Sequence, residues 1–469
     1  MSSEINPRRG FPPACRQAGK CGRAFQGSID DIRRYIIEEI VTKIDKLIYG
    51  GYGLGRVFDK AIFVPKVIPD ETVRVKITKD KGDYYFGELV EIIKPAKERI
   101  DAPCPYFNHC GGCDYQHIKY QSQLSFKENI FFETIKRVGG LNEIPINPII
   151  PSPEPFHYRL KAQLKTSRTG ERVNLGYFKK DSHSFIPIEE CIICHKKINA
   201  LINVLLKLSE QNLLYHLDEI EIIYSKLTDK LLLSLSENKI NKNRLENLYS
   251  IIKKRINEIT GVLSLKKTKV DCVGKNFIEE RVKDIDYRVT SESFFQVNYS
   301  LHELLVNQIM KLVSPRKKDN ILDIYSGVGT FSLPIALKAN YVYGIDESES
   351  SIRDALYNQK SNKIKNCEFL KAKAEDCLIA LKNKKVTCNT VLINPPRSGC
   401  SEKVKKSIIS FNPLNIIYLS CNPSTLGRDL SFFIRSGYEI KSIQPIDQFP
   451  QTYHIEALAK LEKSKQIKV

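Results

Sequence analysis

The stretch Asn415-Ile-Ile-Tyr-Leu-Ser-Cys421-Asn-Pro-Ser-Thr-Leu-Gly-Arg-Asp429 joins an apolar, β-favouring run to a single thiol. Ile416 to Leu419 read as a buried strand, and Ser420-Cys421-Asn422-Pro423 as its end and a following turn. In an open α/β sheet, ligands meet the carboxyl edge of the strands, and a thiolate at that edge can act as a nucleophile. A small core residue is the plainer use of a free cysteine, so the neighbours of Cys421 must decide. Asp447 to Ala459 reads as a loop entering a strand, and strand alternation puts His454 and Glu456 on one face. A carboxylate so placed can serve as a general base. Thr390 to Arg397 supplies another strand end, where Asn394 is followed by two prolines and Arg397.

A cofactor loop completes this edge. Asn320 to Phe331 reads as a strand, a glycine turn (Gly327, Gly329) and a helix start, with Tyr325 and Thr330 flanking the glycines. A second strand, Tyr341 to Asp346, ends in a carboxylate 19 positions after Gly327. That spacing belongs to nucleotide-binding α/β units, where the glycines admit the ligand and the acid takes the ribose hydroxyls. The third glycine of the dinucleotide pattern is missing, which favours the adenosine of S-adenosylmethionine over a pyrophosphate.

A second constellation is Cys104-Pro-Tyr-Phe-Asn-His-Cys110-Gly-Gly-Cys113. Three cysteines spaced Cys-x5-Cys-x2-Cys, around a Gly-Gly pair that lets the backbone fold tightly, form a metal signal. Cys191 and Cys194, with His195, offer a fourth ligand. Zinc and an iron–sulfur cluster both accept thiolates, and spacing does not separate them.

These residues require several bodies to position them. A chain of 469 residues exceeds one ordinary core, so two to four domains are expected. Residues 1–36, with Pro-Arg-Arg and Pro-Pro, read as a disordered basic extension. Residues 37–100 alternate short strands and turns, as in a small OB-like β-barrel. Arg56, Lys76, Lys79, Lys81, Tyr84 and Tyr85 are interleaved on it in the manner of surfaces that hold RNA. Residues 101–288 form a central α+β module carrying the cysteines; a helix over 118–141 is expected to pack on the catalytic domain. Residues 289–469 form a Rossmann-like α/β domain. The net charge of +19 and pI of about 9.2 favour a polyanionic partner. Thirteen scattered cysteines, an odd number, argue against a disulfide framework. No secretory segment opens the chain and no apolar run is long enough for a bilayer, so a cytoplasmic protein without a membrane partner is expected.

Together these motifs resemble the RNA uracil-C5 methyltransferase family, most closely its bacterial 23S ribosomal RNA branch, from roughly residue 40 to the end. The resemblance implies that the barrel is a TRAM domain and that the chain is a monomer acting on 23S rRNA with S-adenosylmethionine. It implies Cys421 as nucleophile and Glu456 as general base. Gln296, Tyr325, Thr330, Asp346 (where the family usually has Glu), Lys373 and Asn394 fall at cofactor positions. Cys104, Cys110, Cys113 and Cys191 match the ligands of a [4Fe-4S] cluster, zinc being the alternative, and Cys194 lies outside the pattern. Asn394 departs from the family's Asp: it keeps a carbonyl acceptor, loses a charge and gains a donor. The alternatives are a tRNA uracil-C5 methyltransferase, a catalytically weak RNA-binding factor and an amino-group methyltransferase.

Overall fold

Alternation builds the first body. In the computed structural model, which describes residues 39–464 apart from 142, 171, 212–213, 215–216, 237–241 and 266–269, five strands close a barrel in the order β1-β2-β3-β5-β4. They are β1 (Glu39–Ile48), β2 (Tyr52–Val57), β3 (Lys60–Pro65), β4 (Thr72–Asp80) and β5 (Tyr84–Lys94). Val73, Val75 and Ile77 of β4 point inward, whereas Arg74 and Lys76 face out, as the period of two demands. The expected basic extension at 1–36 lies outside the described residues.

Helix α1 (Tyr120–Gly139) ends in the left-handed residue Gly140, a common helix stop. It crosses the helix Pro423–Arg435 where Gly139 and Gly427 meet: a Cβ on Gly139 would stand 3.1 Å from the Gly427 carbonyl. Two glycines therefore let the helix backbones touch. The helix packs on the C-terminal α/β domain: Ile130, Phe131 and Ile135 share one core with Tyr418, Leu426 and Phe433. Leu47 and Ile68 of the barrel are buried in that same core.

The central sheet runs β12-β11-β10-β9-β6-β7-β8. Its strands are β6 (Lys161–Thr169), β7 (Arg172–Phe178), β8 (Phe185–Pro187), β9 (Glu219–Ser225), β10 (Lys230–Ser236), β11 (Ile259–Leu265) and β12 (Val270–Gly274). Helices α2 (Lys196–Glu210) and α3 (Lys242–Arg255) bury Leu201, Leu205 and Leu248 against it. Apolar spacing from Lys242 predicts a helix to Ile259, but α3 stops at Arg255, because Ile259 is already paired in the sheet. It is the crossover that the parallel pair β10–β11 requires. A hairpin of β13 (Phe277–Val282) and β14 (Ile285–Thr290) packs its Ile278, Tyr287 and Val289 into the catalytic core.

The catalytic sheet is ordered β17-β16-β15-β18-β19-β21-β20. Its strands are β15 (Asn320–Ile324), β16 (Tyr341–Asp346), β17 (Cys367–Lys371), β18 (Thr390–Ile393), β19 (Asn415–Ser420), β20 (Tyr438–Ile446) and β21 (Glu456–Lys463). The first five are mutually parallel, and β21 inserts antiparallel between β19 and β20. Helices α4 (His302–Val313), α5 (Ser332–Ala336), α6 (Glu349–Ser361), α7 (Ala374–Asn383), α8 (Glu402–Ser410) and α9 (Pro423–Arg435) complete the unit. Neighbours on both sides of β15 place the sheet's switch point, where α/β sheets take ligands, at the glycine loop.

A buried ion pair ties α1 to the last loop of this domain. Lys127 Nζ lies 2.5 Å from Asp447 Oδ1, both side chains fully buried, and also donates to the Phe449 carbonyl at 3.1 Å. Asp447 Oδ2 accepts from the Tyr120 hydroxyl. Lys127→Met leaves the carboxylate buried without its cation. We expect it to lower unfolding free energy by about 3–5 kcal/mol, measured by urea titration; a loss below about 1 kcal/mol goes against the pair's role.

Candidate active site

Cys421 follows the last residue of β19. The register pairs Leu419 with Leu458 and Ser420 with Ala457, so the next step along both strands sets Cys421 beside Glu456. What reads in the sequence as a turn after Cys421 is the start of α9: Asn422 caps it by accepting from the Ser424 N–H, and Pro423 occupies its first turn. The thiol thus stands where a strand hands over to a helix N-terminus.

Charge at this edge is organised by Arg397. Its Nη2 lies 3.2 Å from His454 Nε2; guanidinium only donates, so Nε2 accepts and the ring proton sits on Nδ1. Burial, and then the Arg397 charge, hold the His454 imidazole neutral, its pKa down to about 3. Burial raises the Glu456 carboxyl to about 8, with Arg397 pulling the other way; the side chain is 5% exposed. Burial lifts the Cys421 thiol to about 11; Glu456 adds to the rise, and Arg397 opposes it by charge and hydrogen bond. The backbone carbonyl of Arg397 accepts from Asn422 Nδ2 at 3.1 Å and Thr425 Oγ1 at 3.3 Å, fixing the arginine to the start of α9.

Next to this group is a cavity of about 610 Å³, lined among others by Tyr325, Asp346, Glu347, Lys373, Ser398 and Arg428. Its volume suits a nucleoside-sized ligand. The glycine loop beneath it is left-handed at Tyr325 (φ 66), Gly327 (φ 57) and Gly329 (φ 85). At Gly329 a Cβ would also stand 2.8 Å from Phe369, so glycine is required there twice over. Asp346 Oδ2 accepts from the Gly327 N–H at 2.9 Å and Oδ1 from the Ser348 N–H at 2.8 Å. The acid therefore braces the loop while keeping lone pairs for a ligand.

Of the six expected cofactor residues, Tyr325, Asp346 and Lys373 line the cavity; Gln296, Thr330 and Asn394 are not among its lining residues. Gln296 is buried, its Oε1 accepting from Gln448 Nε2 at 3.3 Å and its carbonyl 2.6 Å from His302 Nε2. The Thr330 carbonyl accepts from the Tyr287 hydroxyl at 3.1 Å. Asn394 follows β18, its N–H bonded to the Ile324 carbonyl at 3.1 Å. Glu347, immediately after Asp346, and Ser398 and Arg428 join the cavity without having been expected there. For Glu347, adjacency to the strand-end acid is the usable signal.

The cysteines are gathered but not converged. Cys104, Cys110, Cys113 and Cys191 feel one another's charge. Yet among the described residues no group of three or more His, Cys, Asp or Glu side chains is arranged to hold a metal ion. Cys110 takes the Gly112 N–H at 3.4 Å.

Comparison with known proteins agrees with this layout. Residues 119–464 match the family described as tRNA (Uracil-5-)-methyltransferase, and residues 33–90 match the TRAM domain. A relative from Aquifex aeolicus, named as an uncharacterized RNA methyltransferase, is 35% identical over 424 residues, covering 89% of this chain and 97% of its own. One of the same description from Halalkalibacterium halodurans is 32% identical over 443 residues, covering 90% and 96%. The solved Pyrococcus abyssi tRNA (uracil-54, C5)-methyltransferase, in complex with S-adenosyl-L-homocysteine, superposes with a TM-score of 0.70 at 26% identity. That match covers 90% of this chain and 99% of that one. With the family match spanning most of the chain, and a cofactor cavity beside a strand-edge thiol and carboxylate, the protein belongs to the S-adenosylmethionine-dependent RNA uracil-C5 methyltransferase family.

Proposed function

We propose that this enzyme methylates C5 of a uridine in 23S rRNA through a covalent adduct between Cys421 and C6 of the base. The observation that carries this reading is the β19–β21 register, which brings Cys421 and Glu456 together under the influence of one arginine. C5 of uracil is too weak a nucleophile to take a methyl group unaided. Addition of the Cys421 thiolate to C6 moves the C5–C6 electron pair into an enolate whose C5 is nucleophilic. Arg397 offsets the charge that develops. When bound, S-adenosylmethionine supplies the electrophilic methyl group. Glu456 then takes the C5 proton, the C5–C6 double bond re-forms, and the Cys421 thiolate leaves with the C6–S electron pair. Tyr325, Asp346 and Lys373 hold the adenosine half, with Gln296, Thr330 and Asn394 completing the site. The base must be turned out of its stack to reach the thiol.

Because Glu456 is a base only when ionised, and its carboxyl is held up to about 8, the active form grows as pH rises. The thiol at about 11 acts in the same direction. We expect kcat/KM to climb from pH 6.5 through pH 8.5. A flat or falling profile over that range would count against the assignment.

We propose further that Cys104, Cys110, Cys113 and Cys191 hold a [4Fe-4S] cluster. Their surroundings favour an anionic centre. The Gly112 N–H points at the Cys110 sulfur. Arg159 and Lys66, which feel the charges of Cys191 and Cys110, form no carboxylate ion pair among the described residues. A cation left beside buried thiols is costly unless they are ionised. Anaerobically purified protein is expected to carry about four iron atoms per chain, lost in Cys113→Ser. Stoichiometric zinc without iron would replace the assignment.

A second reading, methylation of tRNA, is favoured by the whole-chain likeness to the tRNA enzyme of Pyrococcus abyssi. Mass mapping of methylated uridines in rRNA and tRNA from cells lacking the protein separates the two. Loss of 5-methyluridine at a 23S position is expected; loss confined to tRNA assigns the second reading.

A further inference from the structure

The barrel is not an appendage at a distance from the chemistry. Its first hairpin, the turn between β1 and β2, reaches the strand end that carries Cys421. The Tyr49 hydroxyl donates to the Cys421 backbone carbonyl at 3.4 Å, across 372 positions of sequence. The Tyr49 ring meets Tyr453 edge-on, with centroids 5.3 Å apart at 88°. Tyr453 in turn lies against His454 at 4.2 Å, the partner of Arg397. Charge on Cys421 and Glu456 is felt at the Tyr49 hydroxyl, which burial holds protonated.

A single ammonium fastens this hairpin. Lys180, in the β7–β8 turn, donates to the Gly50 carbonyl at 2.6 Å and to Asp114 Oδ1 at 2.7 Å. It also lies over the rings of Tyr52 at 4.5 Å and Tyr453 at 5.1 Å. Asp114, directly after Cys113, accepts from the Tyr453 N–H through its Oδ2 at 3.3 Å. The Asp114 and Tyr115 N–H groups both donate to the Gln451 carbonyl at 2.9 Å. Gly51 leaves no spare room: it sits at φ +79, and a Cβ there would come within 2.6 Å of Asp114 Oδ1. The barrel, the cysteine loop, the central sheet and the loop before β21 thus converge on Lys180, over the ring of Tyr453.

Resting on the assignment of Cys421 as nucleophile, we infer that the barrel hairpin is part of the active site. Tyr49 acts as a positioning residue that sets the Cys421 backbone, and Lys180 locks it there. A barrel that only captured RNA would affect binding. A barrel that positions the thiol affects the rate once RNA is bound, because small misplacements of reacting groups are costly in rate.

The test uses the full-length enzyme, S-adenosylmethionine and 5-fluorouridine-substituted 23S rRNA and tRNA transcripts in parallel. Fluorine at C5 cannot leave as a proton, so elimination stops and the covalent adduct accumulates for counting on denaturing gels. At saturating RNA, the adduct-forming rate is expected to fall about 10- to 100-fold in Tyr49→Ala, with RNA affinity by filter binding changed less than about twofold. Tyr49→Phe, which keeps the ring against Tyr453 but loses the hydroxyl's bond to the Cys421 carbonyl, is expected to show an intermediate loss of about 3- to 10-fold. Lys180→Met, whose thermal midpoint is checked alongside, is expected to follow Tyr49→Ala even where the latter folds poorly. Unchanged saturated rates with weakened RNA binding in both Tyr49→Ala and Lys180→Met overturn the inference and leave the barrel a tether. Wild-type enzyme that forms no adduct on either transcript overturns the nucleophile assignment itself, a different result.

Discussion

Cys421→Ala is expected to reduce methyl transfer by about 10⁴-fold or more, the largest effect of any single side chain in this protein. In the proposed mechanism, removing the sulfur at the end of β19 leaves nothing to add to C6, and C5 never acquires the electron density to attack a methyl group. Serine does not substitute, because its hydroxyl is far harder to ionise than a thiol. The protein should remain folded: Cys421 is only half-buried, and the strand and cap on either side of it depend on backbone contacts and Asn422. S-adenosylmethionine binding, followed by calorimetry, should persist, since Cys421 does not line the cavity. Loss of cofactor binding together with activity would point to a structural role instead. Activity within tenfold of wild type would remove Cys421 from the mechanism.

Glu456→Gln is expected to stop the cycle at a different point. The thiol can still add and the methyl group can still arrive, but the C5 proton has no acceptor. Product release should slow by about 10²- to 10⁴-fold, the usual worth of a positioned base. The signature is qualitative as well: a methylated RNA–protein adduct should accumulate with natural, unfluorinated RNA, visible as a denaturation-resistant gel shift carrying label from the methyl group. Glutamine is a close mimic of the protonated acid, and Glu456 is held up to about 8 by burial. The substitution should therefore scarcely alter stability, and the wild-type thermal midpoint is the control. Turnover at the wild-type rate, with no adduct, would transfer the base's role to another group.

Much of this site is legible in the amino-acid sequence, and its legible parts share a property. Strand ends at Asn394, Cys421 and Asp346 are marked by local composition, an apolar run broken by polar or glycine residues, and local composition is what periodicity reads. The pairing of Cys421 with Glu456 is harder to see, because a register between strands is not written in either strand alone. Tyr49, Lys180 and Asp114 are hidden for the same reason: their meeting depends on three bodies docking. Two departures from expectation are local. Asn422-Pro423 is a helix cap and first-turn pair rather than a turn, a pattern open to a sequence reader. The helix from Lys242 is shorter than its apolar spacing implies: Ile256 and Ile259 continue that spacing, although Ile259 is claimed by the sheet. The cysteine motif is conspicuous in sequence, yet the described side chains are not arranged to hold a metal ion. Spacing announces thiols, not the distances between their sulfurs.

The pair Lys127–Asp447 also has a consequence for how the chain is made. Its partners are 320 positions apart, so during synthesis Lys127 leaves the ribosome long before the carboxylate that will neutralise it exists. Until then, α1 presents Ile130, Phe131 and Ile135 to water with a charged ammonium on the same helix. Such a charge discourages unfinished chains from associating through that face. When the final loop and β21 dock, the same ammonium is drawn into the interior, and Glu456 arrives beside Cys421 in the same event. Chains short of that loop lack Glu456, so its pairing with Cys421 forms only as the last strand closes the sheet.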